Sequence, residues 1–401
     1  MTIRTFLSHT HRIAKTARPL ATLLALITLT VGMTTLVVAA TVSLTSTEPE
    51  NGTISGKASV VNDATASGGK AIQFGANVTG GGTCAKPKRV VTTSDVANSL
   101  NSGYPAGTQL YVPEGPDPWG GCFPGPSNTG IPAGTTLSAY TGPCSINTAN
   151  TVITAKTVNC DLTINASGVQ ITNSKITAGN INVDSGSLTM TDSEVNLGND
   201  PVDEGLKGSN ITLLRVNMYG GKRQVWCTHC TVKDSYLHDQ LSDPTGNTHE
   251  SAVRVDQYTT LIHNSLLCNA PIFPPDAGCS ANQTGYPDFE PTHDNTMDKN
   301  YYMSTPSGYC SYGGGTNGKP YSNDPLNATN IHFTNNVFER GTSPNDRTTI
   351  SQTDKRRYTC GYYGATSDFI STKSGFIFSG NMWDDGLLFD DDTTYPYMFT
   401  D

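Results

Sequence analysis

One short phrase recurs along the C-terminal part of this chain, and it constrains the fold more than any single motif. The phrase is apolar-x-apolar-x-polar-(Ser/Asn)-x-apolar, beginning at Val169 (VQITNSKI), Leu188 (LTMTDSEV), Ile211, Cys230, Thr260 (TLIHNSLL), Asn295, Ile331 and Phe376. Its alternation has a period of two, so each copy is a short strand with one face turned inward. The sixth position holds Ser174, Ser193, Val216, Ser235, Ser265, Asn300, Asn336 and Asn381. These are mostly small hydroxyl or amide side chains, suited to a bend and to hydrogen bonds with their equivalents in neighbouring copies. Successive copies start 19, 23, 19, 30, 35, 36 and 45 residues apart, so the strands stay constant while the loops grow. A sandwich needs turn signals every ~8–12 residues, whereas a strand-rich unit of about 20 residues stacks on copies of itself. The pattern predicts an all-β chain folded as a parallel β-helix.

Composition agrees. Only 15% of residues are charged, against about 25% in an ordinary soluble domain, and there are 40 Gly and 23 Pro. That excludes a coiled coil, a helix bundle and a charge-rich disordered tail. The net charge is -9, yet the first forty residues carry Arg4, Arg12, Lys15 and Arg18 and no acid, so the remaining body is more acidic still. Such a body repels nucleic acid and anionic membrane before any local contact forms.

Those basic residues precede an uncharged run from Leu20 to Ala40, with small residues at Val38 and Ala40. This predicts a signal peptide cleaved before Thr41, with an uncleaved membrane anchor as the alternative because the run nearly reaches spanning length. Export makes the even set of ten cysteines a disulfide framework. Cys227-Thr-His-Cys230 is the only CxxC and is expected to be a buried or bonded pair, since zinc would need a second one. Cys268 with Cys279 and Cys310 with Cys360 are further expected pairs. The expected organisation is a signal or anchor segment over 1–40, a short β segment over 41–84 and the β-helix over 85–401. Within the last, PAGTQLYV from Pro105 and PAGTTLSA from Pro132 are expected early coils, and TSDVANSL from Thr93 a short helix plugging the open end of the rod.

In a β-helix, outward positions of successive coils form columns about 4.8 Å apart. Counting four residues back from the repeat starts gives Asn165, Asp184, Lys207, Trp226 and Asp256. Six back gives Thr163, Asn182, Gly205, Gln224 and Arg254. The strip that results carries Lys207, Trp226, Arg254 and Asp256, with Gln224 and Tyr236 nearby, beside the insertion LSDPTGNTHE (241–250). An exposed Trp flanked by charge suits a sugar ring, whose apolar face stacks while its hydroxyls bond. For single residues the plainer reading is stronger, with Lys207 and Arg254 pairing with Glu204 and Asp256 on a solvated surface. The cluster as a whole favours a binding site.

Histidines sharpen the picture, since His229, His238, His249 and His263 fall close together. A lyase acting on a uronic-acid polymer needs a cation for the carboxylate, a base for the α-proton and an acid for the leaving oxygen. Arg254 or Lys207, His249 and Tyr236 suit these roles, with His238, Asp239 and Glu250 flanking the same insertion. A hydrolase needs two carboxylates across a cleft, for which Asp239, Asp243, Glu250 and Asp256 are candidates. His263 is expected to be ordinary surface. Ca²⁺ is the one cofactor suggested, weakly, by acidic loops holding Asp243, Glu250 and Asp288-Phe-Glu290, where a solvated loop is the plainer reading.

The repeated strand phrase, CFPGPSNTGIPAGTTL before the first regular coil, and HESAVRV followed by TLIHNSL together resemble the secreted right-handed parallel β-helix proteins of bacteria, the pectate-lyase-like superfamily. The resemblance spans about residues 85–401. ENGTISGKASVVNDATASGGKAIQFG (50–75) is similar to edge strands of jelly-roll carbohydrate-binding modules. The first resemblance implies a right-handed solenoid acting on an extracellular polysaccharide. It does not extend to an active site: the vWiDH and RxPxxR segments of pectate lyases are absent, as is the GHG segment of polygalacturonases. The favoured expectation is a secreted, monomeric polysaccharide lyase. A non-catalytic glycan-binding or cell-surface rod is the alternative, and a glycoside hydrolase the next. Ice binding is disfavoured because the columns mix Asn, Asp, Lys and Trp instead of forming a flat Thr array.

Overall fold

The computed structural model describes residues 58–62, 70–74, 84–97, 104–273, 277–340, 360–361 and 363–389. The chain divides into two units, residues 1–82 and 83–401. The expected signal or anchor over 1–40 lies outside the described residues. Among the described residues no helix is long and apolar enough to cross a membrane. In the first unit, Ala58–Asn62 and Lys70–Phe74 pair as an antiparallel hairpin.

The second unit is a parallel β-solenoid whose coils each contribute three short strands. Leu162–Ile164, Val169–Thr172 and Lys175–Thr177 pair in parallel with Asn180–Val183, Leu188–Thr191 and Glu194–Asn196 of the next coil. The period-two alternation accounts for this directly. Leu162, Ile164, Val169, Ile171 and Ile176 are fully buried, while Thr163, Gln170 and Lys175 between them reach the surface. Three faces result, referred to below as first, second and third in chain order within a coil.

The bend between the second and third faces is built by a single residue in the left-handed region. Asn173, Asp192, Arg215, Asp234, His263, Lys299 and Asn335 occupy it with φ between 49° and 57°. The residue after each faces inward and forms the ladder. Ser174 N donates to Ser193 Oγ at 3.2 Å, Ser235 N to Asn264 Oδ1 at 3.0 Å, and Asn300 N to Asn336 Oδ1 at 2.9 Å. One expected copy is displaced: Cys230 pairs with Thr259, not Thr260, so the ladder residue is Asn264 and not Ser265. His263 takes the left-handed position there, which moves the whole copy by one residue.

Residues 104–130 run across the outside of the third face. Tyr111 N donates to Asp384 O in the last described coil, Tyr301 Oη donates to Tyr111 O, and Gly130 N donates to Arg215 O further back. PAGTQLYV is therefore not a coil, because Gln109–Leu110 pairs antiparallel with Arg89–Val90. PAGTTLSA does enter one, since Ser138–Ala139 pairs in parallel with Lys156–Thr157. The helix Thr93–Ala97 is capped reciprocally, with Asp95 N donating to Thr92 Oγ1 and Thr92 N to the Asp95 carboxylate. Tyr104, a few residues on, bonds Asp384, which places this segment beside the last described coil and not at the first.

His263 fastens the crossing segment. Its ring bonds Asp234 at 2.7 Å and Asp117 at 3.1 Å and stacks on Phe123, so it is not ordinary surface. Burial opposes its charge, but the two carboxylates outweigh burial and push its pKa up to about 9. A raised histidine stabilises fully below its unfolded value of about 6.5 and loses that contribution as pH rises through 9. Asp117, held below the usual carboxylate range against its burial by His263 and backbone N–H groups, acts oppositely: its contribution is lost in acid. Stability is therefore expected to fall by about 3 kcal/mol between pH 6.5 and 10, at about 1.4 kcal/mol per pKa unit. Urea midpoints across that range should show this fall in the native protein and not in His263→Gln. Equal alkaline slopes in the two proteins would refute the clamp.

Candidate functional site

With the third face partly covered, a concavity opens on the first face. It is an open groove of about 770 Å³ across Arg223–Lys233, His249–Val255, Ala277–Thr284 and Tyr309–Tyr312. Register fixes what points into it. Thr163, Asn182, Lys207, Trp226, Arg254 and Thr284 occupy equivalent strand positions in successive coils. Counting back a fixed number from the repeats does not recover this column. The corner between first and second faces has four residues after Val183, two after Gly208 and Cys227, and three after Val255.

Trp226 is the centre of the column. Lys207 Nζ lies 4.5 Å from its ring centroid, the Arg254 guanidinium 5.2 Å and that of Arg223 5.6 Å. Phe289, which is 61% exposed, stands 5.4 Å from it. The indole Nε1 donates to Asp256 at 2.5 Å, which fixes the ring. The two guanidinium groups beside the indole have carboxylate partners. Arg254 Nε bonds Asp256 at 3.1 Å, while its Nη2 bonds Tyr286 O at 2.8 Å and Asp288 at 3.2 Å. Lys319 also pairs with Asp288, and Glu204 takes both Lys222 and Arg223. Although burial works against it, Arg223 and Lys222 hold Glu204 below the usual carboxylate range. Burial pulls the Arg223 guanidinium down, with Arg254 adding to the effect.

His249 is exposed at the groove wall with Nδ1 3.3 Å from Ser280 Oγ, and its carbonyl accepts from Arg223 Nη2. The insertion before it is shaped by Asp243, whose carboxylate accepts the N–H groups of Thr245, Asn247 and Thr248. The hydroxyl of Thr245 and those N–H groups lower its pKa. This turn presents Asn247 and Thr248 to the groove. Tyr286 and Tyr312 form a ring pair 4.8 Å apart at its floor, and burial keeps the Tyr286 phenol protonated.

The structure thus brings Trp226, Arg254 and His249 into one groove, with Lys207 and Asp256 on the far side of the Trp226 ring in an adjoining hollow. Other expected site residues lie elsewhere. His238, Asp239 and Tyr236 sit on or just past the third face, where His238 stacks on Tyr236 at 3.8 Å and bonds Asn217 and Asp239. Burial lowers the His238 pKa. Gln224 points inward, donating to Gly220 O and accepting from Gln240. Glu250 is fully buried with one oxygen on the Thr248 hydroxyl, and burial raises its pKa. The Arg254–Asp256 pair expected on a solvated surface does form, but buried, whereas Lys207 makes no ion pair among the described residues. No group of three or more His, Cys, Asp or Glu in metal-binding array occurs among the described residues. Arg223, Tyr286, Phe289 and Lys319 were not foreseen. Their common signal is position in the same face as Arg254, readable only once register is known.

Five disulfides, Cys84–Cys122, Cys144–Cys160, Cys227–Cys230, Cys268–Cys279 and Cys310–Cys360, include the three expected pairs. Cys279 of the Cys268–Cys279 bridge lines the groove together with Ile272 and Ala277. No family model, no curated protein and no solved structure matches this chain. The fold and the groove themselves define the class: a disulfide-stapled parallel β-solenoid with an aromatic, charge-lined groove on one face.

Proposed function

We propose that this is an exported carbohydrate-active protein whose groove holds a uronate-containing polysaccharide and cleaves it by β-elimination. The convergence of Trp226, Arg254 and His249 in one open groove carries the reading. The similarity of the repeat to right-handed β-helix proteins of the pectate-lyase-like superfamily supports it, as does the disulfide framework, which suits an oxidising compartment. Trp226 and Phe289 offer stacking surfaces for sugar rings. Arg254, whose Nε and Nη2 are engaged, keeps Nη1 for a substrate carboxylate. His249 removes the proton α to that carboxylate, the electron pair forms a new carbon–carbon double bond, and the bond to the leaving glycosidic oxygen breaks. That oxygen takes a proton from a phenol of the Tyr286–Tyr312 pair, a role assigned to Tyr236 by sequence and vacated by its position on the third face.

A second reading, glycan binding without cleavage, is favoured by one observation: Arg254, Arg223, Lys222 and Lys319 all pair with carboxylates. Incubation with a panel of uronic-acid polymers, followed by absorbance of the unsaturated product, separates the two. Cleavage is expected, with His249→Ala slowing it about 10²–10⁴-fold while the chain stays folded. Silence across the panel, with and without Ca²⁺, overturns the lyase. Binding that survives His249→Ala and Arg254→Ala together identifies the non-catalytic rod.

A further inference from the structure

The Trp226–Phe289 pair is a shared wall. On one side lies the groove of about 770 Å³, on the other a second hollow of about 380 Å³, and both rings line both spaces. The two sides differ in charge. The groove is lined by Lys222, Arg223, Arg254 and Lys319 against Glu204, Asp288 and Asp368. The hollow is lined by Asp184, Asp256 and Glu290 against Lys207 alone. A carboxylate on the groove side meets a small excess of positive charge and the spare Nη1 of Arg254. On the hollow side it meets Asp184 and Glu290 against Lys207, with Asp256 already paired to Arg254, a juxtaposition that disfavours an anion. Glu290 reports that field: burial first, then the charge of Asp256, raises its pKa.

Resting on the polysaccharide reading above, we propose that the substrate is a copolymer in which a uronic acid alternates with a neutral or amino sugar. The acidic unit seats on the Arg254 side of Trp226 and the uncharged or cationic unit on the Glu290 side. A polymer of uronate alone would have to place a carboxylate among Asp184, Asp256 and Glu290. Ring stacking on Trp226 and Phe289 is common to all sugars and does not discriminate, so the choice falls to charge.

The test is calorimetric binding of three polymers to the full chain carrying His249→Ala, which suppresses turnover. The polymers are an alternating uronate–amino sugar copolymer, a homopolymer of uronate and a neutral glycan. The copolymer is expected to bind about 10-fold more tightly than either of the others, a ratio equivalent to about 1.4 kcal/mol. Glu290→Gln, which keeps an oxygen for the Gln257 amide, is expected to improve homopolyuronate binding about 3-fold or more without lowering the thermal midpoint. A purely structural glutamate would not produce that gain. Homopolyuronate binding as tight as the copolymer in the parent protein, or no gain in Glu290→Gln, overturns this inference while leaving the groove a glycan site. Failure of all three polymers to bind overturns the polysaccharide reading itself.

Discussion

Arg254→Ala is expected to reduce kcat/KM on a uronate polymer by at least about 10²-fold, the scale seen when a donor to a developing anion is removed, and to destabilise the fold as well. The second effect follows from burial. Arg254 is 5% exposed and Asp256 2%, and among the described residues the guanidinium is the only cation bonded to Asp256. Its removal leaves Asp256 with the Trp226 indole alone, returns Asp288 to Lys319, and uncovers one side of Trp226 and Phe289. Breaking a buried pair by deleting one partner costs about 3–5 kcal/mol. Arg254→Lys separates the two effects. An ammonium can reach one carboxylate but cannot bridge Asp256, Asp288 and the Tyr286 carbonyl with fixed geometry. It should recover most of the thermal midpoint and little of the kcat. Should Arg254→Lys regain turnover in proportion to stability, the arginine positions the groove and does not touch substrate.

How much of this could be read in the sequence follows the physics of each element. The strand phrase was legible because an inward apolar column must repeat at every coil, and period two exposes it. TLIHNSLL was misplaced by one residue because both Asn264 and Ser265 fit the polar slot; the backbone, not hydropathy, chooses, since His263 takes the left-handed bend. The column through Trp226 was half legible. Lys207 and Trp226 come out of a fixed count because their two corners are equally short, whereas the longer corner after Val255 and the one-residue displacement of the Thr260 copy together turned Asp256 into the apparent neighbour of Trp226 and put Arg254 in the wrong row. The strand Ala277–Thr284 gives no apolar rhythm at all. Asn282 and Gln283 are both fully buried there and donate their amide N–H groups to Met303 O and Tyr312 O, so a polar strand looks like a loop until its partners are known. Asp288-Phe-Glu290, read as a solvated acidic loop, instead supplies the counter-charge of Arg254 and the ring beside Trp226.

Asn300→Leu is expected to be the most destabilising single change in the ladder, although it keeps the branched heavy-atom shape of the side chain. Asn300 is fully buried. Its Oδ1 accepts from Asn264 N at 3.0 Å and Asn264 Nδ2 at 2.9 Å, and its Nδ2 donates to Leu261 O at 2.9 Å and to Asn336 Oδ1 at 3.1 Å. Leucine satisfies none of these. Two donors and a carbonyl lose a buried partner, at roughly 1–3 kcal/mol each, so a loss of about 4 kcal/mol follows. Ser174→Ala is the control: near the first coils it removes the acceptor of Lys156 N and a donor to Thr172 O, a smaller loss that should cost about 1–2 kcal/mol. Urea denaturation of the two variants gives the comparison, and equal costs would mean that apolar stacking, not the amide ladder, sets the bend. The ladder also reaches the site. The coil closed by Asn300 is the one that carries Thr284, Tyr286, Asp288 and Phe289. A solenoid couples each coil mainly to its neighbours, so loosening that bend should weaken glycan binding in the groove before the more distant coils open.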